Sequence, residues 1–214
     1  MNILSFISPI LLYRNMTKRN SMIEVREVAG RRRLYIDGYP QSQIAYRRDW
    51  KTILKKAAIG RLPRGARILV LGLGGGDVVK LLKNYQSEAT IAAVELEREV
   101  VTVAREYFGI SAGPKLKIVV ADAKKYMAAN NTNYDLVVVD LYNGDDVPAL
   151  VTSETFLDHV ANALSNKGKA IFNYASHDFI PKDFAEFEQK LHVSFRYVTQ
   201  LKTWGHTYYL VSMV

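Results

Sequence analysis

The apolar positions from residue 67 onward fall into two alternating kinds of segment. Continuous apolar runs of strand length are separated by longer segments in which apolar residues recur at helical spacing. The strand-like runs are residues 68–73, 90–95, 116–121, 136–140 and 169–174. The helix-like segments are residues 77–85, 97–108, 123–129 and 153–164. This alternation predicts an α/β fold in which βαβ units surround a mostly parallel sheet that is buried on both faces.

The end of the chain has a different pattern. A predicted helix near residues 181–191 is followed by two strand-like runs, 195–201 and 206–213, with Gly205 between them. Five alternations closed by a hairpin resemble the seven-stranded, mostly parallel sheet of the Rossmann-like class I methyltransferase fold. They match the six-stranded parallel sheet of dehydrogenases less well.

The N-terminal part reads differently from the rest. Residues 11–43 carry an imperfect strand alternation with turn signals at Gly30 and Asp37-Gly38, which predicts a small β-hairpin module. Residues 49–59 have a helical pattern. We therefore expect an N-terminal segment and β-module over residues 1–48, and a Rossmann-like nucleoside-binding catalytic domain over residues 49–214. Residues 1–13 are apolar but shorter than the roughly 20 residues that span a bilayer, so we expect them to be tucked in or to cover a dimer interface.

Composition narrows the function. Hydrophobic residues make up 49% and charged residues 23% of the 214, which suits a soluble domain. The absence of cysteine excludes a disulfide framework, a cysteine-ligated metal and a cysteine nucleophile, and is consistent with a cytoplasmic protein. Residues 1–64 contain 14 Lys/Arg and 4 Asp/Glu, so the net charge of +8 originates in the N-terminal part. Such a basic region attracts phosphates, although a solvated face is the simpler interpretation.

A candidate cofactor site follows three successive predicted strands. The glycines Gly72, Gly74, Gly75 and Gly76 come directly after the first strand, where they let backbone approach a ligand closely. Glu95 ends the next strand and can accept hydrogen bonds from both hydroxyls of a ribose. Asp122 follows the third strand and can accept a hydrogen bond from an adenine amino group. Either acid alone could be a helix cap, but together they predict a nucleoside site. We also expect the residue that follows each of these features to contact the cofactor. These residues are Asp77 after the glycines, Leu96 after Glu95 and Ala123 after Asp122.

A candidate catalytic group ends the fourth strand. Asp140 should point into the same crevice, where a carboxylate can take a proton from a nucleophile or hold an ammonium group. A cap or loop anchor is the structural alternative. The connector that follows carries two acids and an aromatic residue, which is typical of a functional loop.

These motifs together resemble the spermidine synthase family and its spermidine synthase-like relatives. The resemblance rests on Ile-Leu-Val-Leu-Gly-Leu-Gly-Gly-Gly at 68–76, Ala-Val-Glu-Leu-Glu at 93–97, Val-Ala-Asp at 120–122 and Tyr-Asp-Leu-Val-Val-Val-Asp at 134–140, and it covers roughly residues 20–175. It implies transfer of an aminopropyl group from decarboxylated S-adenosylmethionine to an amine, by a homodimer without metal. The glycines, Glu95 and Asp122 would hold the nucleoside, and Asp140 would be the base.

The chain departs from this family on the acceptor side. Gly75 stands where the family has an acid, and Arg47, Trp50 and Lys51 stand where an acid, a tyrosine and a histidine are expected. A polyamine needs carboxylates along its path, so two alternatives stay open: a methyltransferase that uses intact S-adenosylmethionine, and an aminopropyltransferase with a different acceptor. The candidate acceptor-binding residues flank the predicted site in sequence: Gln41, Tyr46, Trp50, Tyr142, Asn143 and Asp145. Trp204 and His206 could also shape an acceptor pocket, although hairpin packing is the favoured interpretation.

Other function classes fit less well. The loop after Asp140 lacks the Pro-Pro-aromatic pattern that resembles amino-methylating enzymes of nucleic acids, so a nucleic-acid substrate is not favoured. A metal-dependent methyltransferase would need a fuller acid set than Asp140 and Asn173, and no metal is expected. A nucleoside-binding partner subunit that no longer catalyses is the remaining alternative.

Overall fold

The computed structural model describes residues 3–18, 22–42, 44–143, 146–174, 182–203 and 206–214. Its N-terminal part is a four-stranded antiparallel sheet of β1 (Ile10–Asn15), β2 (Ile23–Val28), β3 (Arg31–Ile36) and β4 (Tyr39–Pro40), in that order. The predicted hairpin accounts for two of these four strands. Of the other two, β4 has only two residues, and β1 begins in the apolar N-terminal stretch, whose run of apolar residues carries no regular alternation that would mark a strand.

The first helix, α1 (Ile44–Lys56), begins five residues before its predicted start at residue 49. Its first two residues are exposed and contribute nothing to the apolar face, so the hydrophobic pattern could not reveal the first turn. The core-facing side chains Trp50, Ile53 and Leu54 lie within the predicted range. The division of the chain after residue 48 stays a prediction, and α1 crosses it.

The central sheet has seven strands. Its strands are β5 (Arg67–Leu71), β6 (Thr90–Glu95), β7 (Leu116–Val120), β8 (Tyr134–Val139), β9 (Leu164–Tyr174), β10 (Tyr197–Lys202) and β11 (Thr207–Ser212). Their order is β10-β11-β9-β8-β5-β6-β7, with β11 antiparallel to both of its neighbours and the other pairs parallel. This confirms the predicted fold class.

Helices cover both faces of this sheet. They are α2 (Asp77–Tyr85), α3 (Arg98–Phe108), α4 (Ala123–Ala128), α5 (Glu154–Asn162) and α6 (Lys182–Ser194). Along β5, Ile68 and Val70 pack with α1 and α2, whereas Leu69 and Leu71 pack with α4, α5 and α6. Because successive side chains of a strand point to opposite faces, a continuous apolar run is what a strand between two helical layers requires.

The N-terminal sheet packs on α3 rather than standing apart. Ile23, Val25 and Leu34 are fully buried against Val100 and Val103 of that helix. This packing places the sheet beside the carboxyl ends of β5 and β6. The N-terminal part therefore forms one wall of the crevice at which an open α/β sheet binds its ligand.

Candidate active site

The glycine turn lies at the centre of this crevice, where β5 and β8 are neighbours. Gly72 has a φ of 93°, and a Cβ atom there would overlap the carbonyl oxygen of Asp140. Gly76 has a φ of 76° and precedes α2, and its missing side chain leaves room for Ile110. Only glycine combines a positive φ with so close an approach of backbone. The turn thus brings the start of α2 and the end of β8 together.

Glu95 joins the end of β6 to the glycine turn. Its Oε2 accepts hydrogen bonds from the backbone N–H groups of Leu73 at 3.0 Å and Gly74 at 3.3 Å. Its Oε1 accepts one from the N–H of Glu97 at 3.1 Å. Burial raises the pKa of this carboxyl, and the backbone hydrogen bonds oppose that rise. The side chain is consequently fixed at the ligand-facing edge of the sheet.

Asp122 is the N-cap of α4. Its Oδ1 accepts a hydrogen bond from the backbone N–H of Lys125 at 3.1 Å. The capping role that was the alternative for this acid is therefore present. Asp122 also lines the central cavity with Ala123, so the second carboxylate oxygen can still serve a ligand.

Asp140 follows β8 and is held by neutral donors. Its Oδ1 accepts a hydrogen bond from Nδ2 of Asn173 at 2.8 Å, and the Trp50 side chain donates a further hydrogen bond. Nδ1 of His206 lies 3.2 Å from Oδ1 of Asn173, so the contacts continue from β9 to the residue before β11. Burial raises the pKa of Asp140 to about 6, with a smaller contribution from the charge of Asp77, and the two hydrogen bonds oppose it. A carboxylate with such a pKa is suited to accept a proton near neutral pH.

Asp77 lies in the first turn of α2 on the same side of the crevice. Burial raises its pKa, and the positive charges of Arg47 and Lys80 oppose the rise. Nearby, a Cβ atom on Gly75 would lie 3.2 Å from Cβ of Ser42. The Ser42 hydroxyl accepts a hydrogen bond from the backbone N–H of Leu34 at 2.9 Å, which ties it to β3. A longer side chain at position 75 would therefore press on the N-terminal sheet.

One cavity of about 820 Å³ connects these groups. The predicted site residues that line it are Gln41, Tyr46, Trp50, Gly72, Gly74, Gly75, Asp77, Glu95, Leu96, Asp122, Ala123, Asp140, Tyr142 and Asn143. Gly76 does not line the cavity; it forms the turn from which α2 begins. Asp145 and Trp204 lie outside the described residues. The volume suits a nucleoside together with a small acceptor.

Sequence reasoning missed part of this cavity. Asn173 was considered only as a metal ligand, and hairpin packing was favoured over an acceptor-pocket role for His206, yet both line the cavity next to Asp140. Tyr39, Pro40 and Glu97 line it as well. Asn173 could have been predicted from the sequence, because it lies near the carboxyl end of a buried strand. Asp140 was identified by the same kind of position.

Within the described residues, no three His, Asp or Glu side chains are grouped in a way that could hold a metal ion. No helix in those residues combines the length and apolar character needed to cross a membrane.

A family profile described as the spermine/spermidine synthase domain matches residues 51–213 of the chain. The chain belongs to this family. Among curated relatives, the polyamine aminopropyltransferase of Chromobacterium violaceum is 32% identical over 120 residues, which are 56% of the chain and 46% of that protein. The eEF1A lysine and N-terminal methyltransferase of Homo sapiens is 28% identical over 128 residues, which are 54% of the chain and 18% of that protein. The chain thus spans about half the length of the curated family members it matches, or less.

Solved structures share the fold. The probable spermidine synthase from Corynebacterium glutamicum has a TM-score of 0.82 and 20% identity, covering 94% of the chain and 80% of that protein. Human methyltransferase-like protein 13 in complex with SAH has a TM-score of 0.66 and 22% identity, covering 80% of the chain and 83% of that protein. A spermidine synthase in complex with the transition-state analogue AdoDATO has a TM-score of 0.81 and 15% identity, covering 96% of the chain and 74% of that protein. Spermidine synthases and a methyltransferase are therefore built on the same sheet as this family member.

Proposed function

We propose that this chain is a spermidine synthase-like transferase. It binds S-adenosylmethionine or its decarboxylated form and transfers an alkyl group, aminopropyl or methyl, to an acceptor placed at Asp140. The observation that carries the proposal is the position of Asp140, a carboxylate with a raised pKa, in the same cavity as Glu95 and Asp122. The family membership and the transferases among its relatives support it.

The nucleoside would occupy the half of the cavity next to β5, β6 and β7. Glu95 would accept the ribose hydroxyls, Asp122 would accept the adenine amino group, and Leu96 would lie against the base between them. Gly74 and Gly75 would let the sulfur-bearing chain pass close to the backbone. The start of α2 then points toward the transferable carbon. The bound nucleoside supplies a sulfonium centre whose attached carbon is open to attack by a nucleophile.

Asp140 would prepare that nucleophile. An ammonium group hydrogen-bonded to the carboxylate gives up one proton to it, and the freed nitrogen lone pair forms the new N–C bond. The C–S bond breaks, and its electron pair passes to sulfur, which loses its positive charge. The product nitrogen carries that charge instead, and Asp140 returns its proton to solvent. Asn173 and Trp50 hold the carboxylate in place during the exchange.

A methyltransferase acting on an acceptor that is not a polyamine is the second candidate. Gly75 favours it, because the acid that the family carries there is absent and Ser42 fills the adjoining space. An acidic side chain at that position would repel the carboxylate of intact S-adenosylmethionine. Its absence therefore removes one obstacle to the intact nucleoside.

We also propose that the chain forms a homodimer in the cytoplasm. The side chains of Ile3, Leu4, Phe6 and Ile7 are between 61% and 83% exposed, and such an apolar surface is typical of a contact face. Measuring the mass of the protein in solution tests the dimer. Replacing Phe6 by aspartate should then shift a dimer to monomer.

Calorimetric titration tests the function. S-adenosylmethionine, its decarboxylated form and methylthioadenosine are titrated separately into the wild-type protein and into Glu95→Gln. We expect binding to the wild type and a loss of at least about tenfold in the variant, because glutamine cannot accept the three backbone hydrogen bonds and the ribose bonds together. The better-bound methionine derivative identifies the donor. Absence of binding by all three would refute the proposal, whereas binding without turnover of any acceptor would favour a partner subunit.

A further inference from the structure

The acceptor end of the cavity is lined by aromatic rings. Tyr46 and Trp50 from α1, Tyr142 after β8 and His206 before β11 line the cavity beside Asp140. The rings of Tyr46 and His206 meet edge to face, with centroids 4.6 Å apart. We call these four side chains the aromatic box.

The buried ring of Tyr208 packs behind two members of the aromatic box, Trp50 and His206. Tyr208 is fully buried, and its ring lies 5.1 Å from that of Trp50 and 5.9 Å from that of His206, centroid to centroid. Close packing of this kind limits the rotamers that Trp50 and His206 can adopt. This part of the aromatic box is therefore preformed.

The carboxylates around the cavity are divided between its two ends. Among the described lining residues, Glu95 ends β6, Glu97 follows β6 and Asp122 follows β7, all at the end assigned to the nucleoside. The charge of Asp77 acts on Asp140, and the positive charges of Arg47 and Lys80 act on Asp77 in turn. Within the described part of the lining, Asp140 is the acid that the aromatic box surrounds.

The amide side chains that line this end are neutral. Asn173 donates to Asp140, and Asn143 lines the cavity with an amide where a carboxylate would have the same shape. A single cation can be balanced by Asp140 and stabilised over the ring faces. A second cation on the same molecule would lose water of hydration without finding a second carboxylate among these groups.

We infer that the acceptor is an amine with one positive charge on an apolar or aromatic stem, rather than a diamine or a polyamine. The inference rests on the proposed function and specifies its acceptor class. The ammonium of such an acceptor lies on Asp140, and its stem lies along the aromatic box. The proton and electron pair then move as already described.

Matched amines test the preference. With the better-bound donor present, product formation is followed by mass spectrometry for butylamine, 2-phenylethylamine and 1,4-diaminobutane. We expect kcat/KM for the better monoamine to exceed that for the diamine by about tenfold or more, since a second unbalanced charge must be desolvated. Equal values, or a preference for the diamine, would overturn the inference while leaving the transferase intact.

The variant Asn143→Asp adds a carboxylate with almost no change of shape. It should raise kcat/KM for 1,4-diaminobutane relative to butylamine by about tenfold, because the second ammonium gains a partner. Its nucleoside affinity should stay within about twofold of the wild type, since position 143 lies at the other end of the cavity. An unchanged ratio of the two amines would contradict the charge inventory on which the inference depends.

The variants Tyr46→Phe and Tyr46→Leu separate ring recognition from general packing. The phenylalanine variant should bind butylamine about as well as the wild type, and the leucine variant about three- to thirtyfold more weakly, because leucine has no ring face for a cation. Calorimetry on protein loaded with methylthioadenosine, which has no sulfonium group to transfer, measures this binding without turnover. Failure of every monoamine to bind loaded wild-type protein would also overturn the inference, whereas failure of the nucleoside itself to bind would overturn the proposed function.

Discussion

Replacing Asp140 by asparagine should stabilise the ligand-free protein near neutral pH while abolishing transfer. The carboxyl of Asp140 has a pKa of about 6 in the folded chain, against an ordinary value of 3.8. Because the folded-state pKa is the higher one, the stability associated with the neutral carboxyl is present at low pH and is lost as the pH rises through 6. Above that pH, the folded protein contains a charged group that the unfolded chain hydrates better.

The size of the effect follows from the shift. A difference of about two pKa units corresponds to about 3 kcal/mol at about pH 7.5, and to roughly half of that at about pH 5, where the folded carboxyl is mostly neutral. These are upper values, because the Asp140 side chain is only partly buried where it lines the cavity, and solvent that reaches it would screen its charge. Asparagine has the same shape and can accept the hydrogen bonds from Asn173 and Trp50, so the packing should be retained.

Urea unfolding at both pH values measures the difference. Asp140→Asn should be more stable than the wild type at about pH 7.5, with a smaller advantage at about pH 5. Asp158→Asn is the matched control, since Asp158 is exposed and its bond to the Ser194 hydroxyl can be retained; its effect should stay within about 0.5 kcal/mol at both values. A destabilised Asp140→Asn at about pH 7.5, or an advantage that does not change with pH, would refute the argument.

Three further predictions concern single positions. Gly72→Ala should lower the free energy of unfolding, measured in urea, by more than about 4 kcal/mol or give no soluble protein. The control Gly113→Ala, where a Cβ atom meets open space, should change it by no more than about 0.5 kcal/mol. A tolerated Gly72→Ala would contradict the close approach of β5 and β8. Asp122→Ser should keep the N-cap of α4 and therefore the stability of the protein. Calorimetry should show nucleoside binding that is about tenfold weaker, because the carboxylate that accepts the hydrogen bond from the adenine amino group is lost. Undiminished affinity would mean that Asp122 serves only as a cap. Asn173→Leu should shift the acidic limb of the profile of kcat against pH to higher pH by up to about one unit, since the charged form of Asp140 loses a hydrogen-bond donor. An unmoved limb would show that Asn173 does not position the base.

The central sheet could be predicted closely because its strands are buried on both faces. A strand between two helical layers must be apolar throughout, so it stands out from polar flanks without any need to detect alternation. Strand β6 has the predicted bounds of residues 90–95, and α2 has those of residues 77–85. The nucleoside half of the cavity followed from the same pattern, because its glycines and acids come directly after the strands.

The acceptor half could be predicted only in part. Asn173 meets Asp140 because β9 is the neighbour of β8, and His206 meets Asn173 because β11 is inserted between β9 and β10. Strand order of this kind depends on which edges pair in space, and hydrophobic periodicity along the chain does not encode it. The proposed acceptor class therefore had to wait for the structure.

The N-terminal sheet was underestimated for a related reason. Its outer strand β1 has one half-buried face and irregular pairing with β2 between Leu11 and Tyr13, so no regular alternation marks it. Its position is set by distant contacts, such as the hydrogen bonds from Tyr13 and Asn15 to Glu99 of α3. Contacts separated by more than 80 residues leave no local signal.

The most direct test of the account is a comparison of alkyl transfer by the wild type and by Asp140→Asn. Each protein is incubated with the donor it binds and with a mixture of amines. The molecular masses of the amines are then measured by mass spectrometry to detect an added group. The account predicts that the wild type adds a methyl or aminopropyl group to an amine. The variant should bind the same nucleoside with nearly unchanged affinity. It should form product at least about a hundredfold more slowly, because the general base is lost. Equal rates for the two proteins would contradict the role of Asp140, and with it the central claim.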